Sequence, residues 1–298
     1  MENVLLVINP VSGRQKARGI LYRIVDFLSK NNCKTTVFVT AHSGHATELV
    51  RQHSADVDKI ICCGGDGTLN EIFSGLVEIG QKTPVGYIPT GTSNDIARSL
   101  GFNYTVRQLL DISMFGRVQE LDIGRFNDSR YFSYVTSFGA FSKASYETPQ
   151  WLKNSMGRVS YFFYALSELA EIHPQFTKVI ADGRVIEGDF VLGTVSNSTV
   201  FGGMEIFPKG SVGLDDGKFE LLLVKPLKRP KDLQAILQGM IMHQYNEETV
   251  IFLKAKSISF EFNEKVPWTV DGEYAGAMTH VNIENIKSSA KVLIGVGD

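Results

Sequence analysis

The chain has 298 residues, 43% of them hydrophobic and 21% charged, with a formal net charge of −2. That length supplies two modest hydrophobic cores, and the near-balanced charge excludes both the basic footprint of a nucleic-acid binder and the polar bias of a disordered chain. Three cysteines, Cys33, Cys62 and Cys63, cannot all pair, which reads as a reduced, intracellular protein.

Val4-Leu5-Leu6-Val7-Ile8 has the unbroken apolar run of a buried strand. It ends in Asn9-Pro10-Val11-Ser12-Gly13, after which Arg14, Lys16 and Arg18 open an amphipathic helix. A second strand is expected over 35–40. His42 and His45 flank Ser43-Gly44 in the loop beyond it, either as solvated residues or as a nucleotide contact. Next, Lys59-Ile60-Ile61-Cys62-Cys63 leads into Gly64-Gly65-Asp66-Gly67-Thr68-Leu69-Asn70-Glu71 and a helical stretch over 72–77. Glycines here remove the Cβ atoms that keep an anion away, and a helix N-terminus adds backbone donors and partial positive charge. The adjacent cysteines point to opposite faces of their strand, which argues against a shared metal. Pro84-Val85-Gly86-Tyr87-Ile88 then runs into Pro89-Thr90-Gly91-Thr92-Ser93-Asn94-Asp95-Ile96-Ala97-Arg98. Three strand-to-loop-to-helix passages thus stand where an open α/β sheet gathers its ligand.

The glycine-rich loop has neither the lysine of a Walker A loop nor the spacing of a dinucleotide GxGxxG. It carries Asp66 instead. A carboxylate beside phosphate is repelled by about 1 kcal/mol at 4 Å even through water, unless a cation lies between them. Asp66 therefore points to Mg²⁺, with an ordinary tight turn whose aspartate caps a helix as the plain alternative. Asn94 and Asp95 carry the same pair of readings.

From Val4 to about Gly124, apolar runs alternate with helical stretches, as in βαβ units with a mostly parallel sheet. Beyond Leu121-Asp122-Ile123-Gly124 the strand-like runs crowd together at 131–135, 178–181, 190–196, 219–224, 257–262, 268–270 and 280–283, which predicts an antiparallel sandwich or barrel. Helices are expected at 156–172 and 230–242. The expected organisation is an α/β domain over 1–125 and a β-sandwich domain over 126–298 that share a cleft. The last strand, 291–296, either closes the second domain or returns to the first. The stretch 158–172 includes Ser160, Ser167, Glu168 and Glu171 and is too short to span a bilayer. Met1-Glu2-Asn3 leads straight into a strand with no basic region or cleavage site, so a soluble protein is expected. The aromatic group Tyr161-Phe162-Phe163-Tyr164 fits an acyl-chain groove and sheet packing equally, and Lys225, Lys228, Arg229 and Lys231 fit a solvated loop or contact with anionic lipid. Asp271-Gly272-Glu273 has the context of a hairpin bend.

NPVSG at 9–13, GGDGTLNE at 64–71 and PTGTSND at 89–95, in this order and spacing, resemble the three signature motifs of the diacylglycerol kinase catalytic domain family, in its bacterial soluble lipid kinase branch. The similarity continues through Leu121-Asp122-Ile123-Gly124, Gly157-Arg158-Val159-Ser160-Tyr161, Gly202-Gly203-Met204 with Pro208, Leu214-Asp215-Asp216-Gly217 and Asp271-Gly272-Glu273, nearly the whole chain. Inorganic-polyphosphate/NAD kinases share GGDGT and the Asn-Glu pair but are not expected to carry the other two motifs together.

The resemblance implies an N-terminal three-layer Rossmann-like nucleotide-binding domain and a C-terminal antiparallel β-sandwich, the NAD kinase/diacylglycerol kinase-like fold. It implies an ATP- and Mg²⁺-dependent lipid kinase that phosphorylates a lipid hydroxyl, diacylglycerol first, giving phosphatidic acid. The implied nucleotide contacts are Asn9, Pro10, Val11, Ser12, Gly13, Thr40, Gly64, Gly65, Asp66, Gly67, Thr68, Asn70, Glu71, Thr92, Asn94 and Asp95. Glu273 is the implied general base, with Asp66 and Asp271 in the catalytic group. A structural Mg²⁺ is implied at the Asp216 side chain and the carbonyls of Gly213 and Lys218, although the run from Pro208 to Gly213 is two residues longer than the family's. The implied partner is a lipid at the inner face of the membrane, met by peripheral contact from the cytoplasm; homodimers are common among such enzymes. Two rival readings stand beside this one, an NAD kinase-type phosphotransferase and a catalytically silent nucleotide-binding module.

Overall fold

A computed structural model of the chain describes residues 1–139, 173–201, 204–205, 207, 212–242 and 244–295. The expected helix at 156–172 and its aromatic group, Gly202, Gly203 and Pro208 lie outside the described residues. The chain divides into two compact units, one made of Met1–Ile123 together with the stretch from Ser288 onward, the other of Gly124–Lys287.

In the first unit, strands β1 (Glu2–Ile8), β2 (Cys33–Val39), β3 (Lys59–Gly64) and β4 (Val85–Pro89) are all parallel. Leu6 of β1 sits opposite Val37 of β2 on one side and Ile61 of β3 on the other, and Ile61 pairs onward with Gly86 of β4. The spatial order is therefore 2-1-3-4, with Val292 joining β4 in parallel at Val85. Connecting them are a 3₁₀ turn (Ser12–Gln15) and helices α1 (Lys16–Lys30), α2 (His45–His53), α3 (Asp66–Glu78), α4 (Asp95–Ser99) and α5 (Val106–Phe115).

Alternation along the strands sorts the side chains into two layers. Val4, Leu6, Ile8, Ile61, Cys63 and Ile88 pack with Ile24 and Leu28 of α1 and Leu109, Leu110 and Met114 of α5. Leu5, Val7, Ile60, Cys62 and Tyr87 are buried on the opposite face, and α3 buries Leu69, Ile72, Phe73 and Leu76. Each such side chain withdrawn from water contributes about 1.5–3 kcal/mol, which is why uninterrupted apolar runs become central strands. The order 2-1-3-4 reverses direction between β1 and β3, and an open parallel sheet offers its crevice at that point.

The second unit is antiparallel. Its strands are β6 (Arg130–Phe132), β7 (Val135–Gly139), β8 (Gln175–Ala181), β9 (Arg184–Phe190), β10 (Leu192–Ser196), the short pair β11 (Val200–Phe201) and β12 (Met204–Glu205), β13 (Phe219–Val224), β14 (Val250–Ala255) and β15 (Ser257–Val270). Strands β5 (Arg117–Phe126) and β16 (Glu273–Ile294) each have residues in both units, and helix α6 (Pro230–Met242) precedes β14. The sheet runs β14-β13-β10-β7-β15, with β15 also pairing β8 and β16. Its core is aromatic: Trp268 is fully buried, with ring centroids 5.0 Å from Phe260, 5.1 Å from Phe138 and 6.1 Å from Phe262.

Three features of the second unit differ from the sequence reading. The runs at 257–262 and 268–270 belong to one strand, Ser257–Val270, whose pairing shifts register between Glu261 and Val266. Strand β9 was not expected because, among the described residues, it is an edge paired only to β8, with charged residues on its exposed side. Strand β14 was missed because a single residue, Lys256, separates it from β15. At the far end of β15, Asp271 (φ 48°) and Gly272 (φ 81°) form a two-residue hairpin turn between the paired residues Val270 and Glu273. Positive φ at both central positions matches the twist of the flanking strands.

Candidate active site

The parallel ladder of the first unit extends one residue beyond its strands. The N–H of Thr40 donates to Ile8 O (2.8 Å), that of Asn9 to Cys63 O (2.9 Å) and that of Thr90 to Gly64 O (2.8 Å). These bonds line up the starts of all three sequence-predicted loops and set Thr40 at their margin. Asn9 Nδ2 then donates to Thr68 Oγ1 (2.9 Å), while its Oδ1 accepts the N–H of Val11 (3.1 Å). Ser12 Oγ lies 2.5 Å from Thr90 Oγ1, so the NPVSG and PTGTSND loops touch. Gly13 (φ 49°) permits that approach, since a Cβ there would fall 1.7 Å from Thr90 O. Gly91 and Gly65 meet in the same way, for a Cβ on Gly91 would lie 2.7 Å from the Gly65 Cα.

Both carboxylates of GGDGTLNE end on the N-termini of other helices. Asp66 Oδ2 accepts the N–H of Asp95 (2.9 Å) and its Oδ1 that of Ile96 (3.3 Å), the opening residues of α4. Glu71 Oε1 accepts the N–H of Gly44 (2.8 Å) and Oε2 that of Ala46 (3.1 Å) at the start of α2, and Thr47 Oγ1 donates to Glu71 O (2.8 Å). Helix α3 starts instead at Gly65, which has no side chain with which to cap it. Gly67 in its first turn faces open space. Of these three helix starts, α3 is the one left to offer backbone N–H groups and dipole to an anion.

The Asp66 carboxyl is pushed up to about 6, chiefly by burial and then by the neighbouring Asp95, against the pull of the two backbone bonds and Tyr87. Asp95 is itself buried. Two withdrawn carboxylates lie close together here and offer the hard oxygen donors that a divalent cation takes. Asn94 adopts the left-handed conformation (φ 51°) and donates from Nδ2 to Gly91 O (2.9 Å). Thr92 is exposed on the same loop, and Asn70 is half-buried within α3. The buried Tyr87, not singled out in the sequence, places its hydroxyl 3.4 Å from Asp66 Oδ1 and 3.5 Å from Asn94 Oδ1. Its signal was period-two alternation, which puts it on the Cys62 side of the sheet. Ligand atoms of His42, His45 and Glu48 converge within 4.8 Å, but His45 Nδ1 accepts the Ala41 N–H (3.0 Å), leaving the proton of the neutral ring on Nε2.

In the second unit, the Asp271 carboxylate collects the N–H groups of Ser133 (3.0 Å), Tyr134 (3.1 Å) and Val135 (2.9 Å), anchoring the turn to the β6–β7 connection. Glu273 follows at the head of β16 with its side chain mostly exposed, and its Oε2 accepts from Arg130 Nη2 at 3.1 Å. Around Gly213–Lys218 the Asp216 carboxylate lies against the Gly213 Cα, accepts the Lys218 N–H (2.9 Å) and pairs with Lys254 Nζ. Lys254 also lies 3.4 Å from Glu220, whose carboxyl is pushed up to about 8 by burial despite that ammonium. Asp216 thus has a positive partner supplied by the chain itself.

Residues 3–126 match the model of the diacylglycerol kinase catalytic domain, and residues 135–291 that of the YegS C-terminal NAD kinase beta sandwich-like domain. A diacylglycerol kinase of Bacillus subtilis (strain 168) is 28% identical over 93% of this chain and 92% of its own length. One from Staphylococcus carnosus (strain TM300) is 30% identical over 96% of this chain and 93% of its own. The chain belongs to the diacylglycerol kinase family. A crystal structure of a diacylglycerol kinase from Bacillus anthracis str. Sterne agrees with the fold at a TM-score of 0.77, with 25% identity and coverage of 99% of this chain and 97% of that one. A further solved Bacillus anthracis structure reaches 0.83 at 27% identity, covering 99% and 96%. As a member of the diacylglycerol kinase family the chain is a lipid kinase, and its three loops lie inside the catalytic-domain match. Among its described residues no helix is long and apolar enough to cross a membrane.

Two outcomes follow from these contacts. Glu71→Ala leaves two backbone N–H groups of α2 without their acceptor, and is expected to cost about 1–3 kcal/mol in a denaturant titration, with faster amide exchange at Gly44 and Ala46. Between its ordinary value of 4.5 and about 8, the folded chain holds a proton on Glu220 that the unfolded chain has lost. Stability from this group is full below the lower value and declines as pH rises through the interval. Melting temperatures of Glu220→Gln, followed from pH 5 to pH 8, are expected to lack that decline.

Proposed function

We propose that this lipid kinase transfers the γ-phosphate of ATP, as its Mg²⁺ complex, to a lipid hydroxyl, with diacylglycerol as the first acceptor and phosphatidic acid as product. The observation that carries the reading is the helix α3 start: it lacks a side-chain cap while Asp66 and Glu71 occupy the starts of α4 and α2. Backbone N–H groups of 65–68 would then bind phosphate oxygens, with the Asn9–Gly13 loop and Thr40 and Thr92 as further contacts. Asp66 and Asp95 would hold Mg²⁺, directly or through water, and the ion would offset triphosphate charge. Phosphoryl transfer depends mostly on positioning and electrostatic stabilisation, which an array of fixed loops provides.

Glu273 is the general base in this proposal. As the lipid oxygen forms its bond to the γ-phosphorus, the bond from phosphorus to the ADP oxygen breaks and the hydroxyl proton passes to the Glu273 carboxylate. Such a base is worth roughly 10²–10⁴-fold. Asp271 holds the turn that presents it. The names of the relatives support diacylglycerol as acceptor, and the enzyme would work from the cytoplasm, visiting the inner face of the membrane.

The test is incubation of the purified protein with labelled ATP, Mg²⁺ and mixed micelles each holding one lipid, beside soluble NAD and the Glu273→Gln variant. Labelled phosphatidic acid that falls by about 10²–10⁴-fold in the variant is the expected result. Label on NAD alone would overturn the lipid acceptor, and an undiminished variant would overturn the base.

A further inference from the structure

Glu273 is held in an uneven way. Its backbone is fixed by the two-residue turn and by the pair with Val270, yet its side chain, 68% exposed, has three free torsions between that backbone and the carboxylate. A tight turn therefore places the Cα without aiming the reacting oxygens. Among the described residues one group does aim them. Arg130, at the head of β6, donates from Nη2 to Glu273 Oε2 at 3.1 Å and from Nη1 to the Tyr274 carbonyl at 3.3 Å. The two bonds grip the carboxylate and the neighbouring backbone with one rigid guanidinium, which a flexible point charge does not reproduce.

We infer that Arg130 is the positioning residue of the base: by taking Oε2, it turns Oε1 outward as the oxygen that receives the lipid proton. The inference rests on the reading of Glu273 as general base. Holding one oxygen leaves the other with its lone pairs available. It also supplies a positive charge that the proton transfer leaves in place. An exposed ion pair of this kind adds little to folding, so its value lies in orientation. Sequence reading had no means of finding it, because the partners are 143 residues apart and Arg130 lies in no motif.

The test is a double-mutant cycle on the full chain with labelled ATP and the accepted lipid, combining Arg130→Gln and Glu273→Gln, with Arg130→Lys alongside. Arg130→Gln is expected to lower kcat about tenfold, since loss of aim of a catalytic group by an ångström costs up to about a hundredfold. The KM for ATP and the melting temperature should stay close to those of the parent. In the Glu273→Gln background, Arg130→Gln should have no further effect, the signature of two residues acting as one unit. Arg130→Lys keeps the charge without the two-pronged grip and should fall between. An unchanged kcat in Arg130→Gln would overturn the inference, as would an equal loss in both backgrounds, which would mean that Arg130 acts independently of Glu273. A fully active Glu273→Gln would instead remove the base itself, an outcome read separately from the first two.

Discussion

The Asp66 carboxylate reaches across from the start of α3 to the N–H groups of Asp95 and Ile96, and much else in the first unit is arranged around that reach. For it to be made, the loops after β3 and β4 must lie backbone against backbone, which requires bare Cα atoms at Gly65 and Gly91. The side chain then sits largely out of water beside a second carboxylate, an environment that resists its charge and raises its proton affinity. An asparagine, with one acceptor oxygen, would set its NH₂ against one of the two backbone N–H groups, so the carboxylate serves both at an electrostatic cost.

Glu71 applies the same device to a different helix. One motif of eight residues thus spends both its carboxylates on securing its neighbours, and the helix it opens is left bare at its own start. Asp66 is a cap, of a helix whose first residue lies 29 positions away. Capping does not displace the metal-ligand option that the sequence offered for Asp66, because a carboxylate oxygen that accepts a backbone N–H keeps further lone pairs.

Local pattern made the fold readable up to the limits of local pattern. Runs such as Val4–Ile8 and Lys59–Cys63 announce buried strands by composition alone, and the small-residue loops that follow mark where the sheet turns reactive. Arg184–Phe190 mixes Arg184, Glu187, Gly188 and Asp189 with only three apolar residues and is mostly exposed, so it lacks the apolar run that marks the central strands. Contacts between distant positions left no trace: Glu71 with Gly44, Tyr87 with Asp66, Lys254 with Asp216 and Arg130 with Glu273 all depend on folding to bring them together. The family motifs named most of the residues that cluster in the first unit. They could not say which of them hold the scaffold and which face outward.

The first unit is discontinuous in sequence. Its sheet takes Val292 alongside Val85, and Ala290, Val292, Leu293 and Ile294 are buried although they are among the last residues of the chain. During synthesis, which runs from the N-terminus, β4 must therefore wait with an open edge while the whole second unit is made. The second unit has all of its residues available before the stretch from Ser288 onward that completes the first.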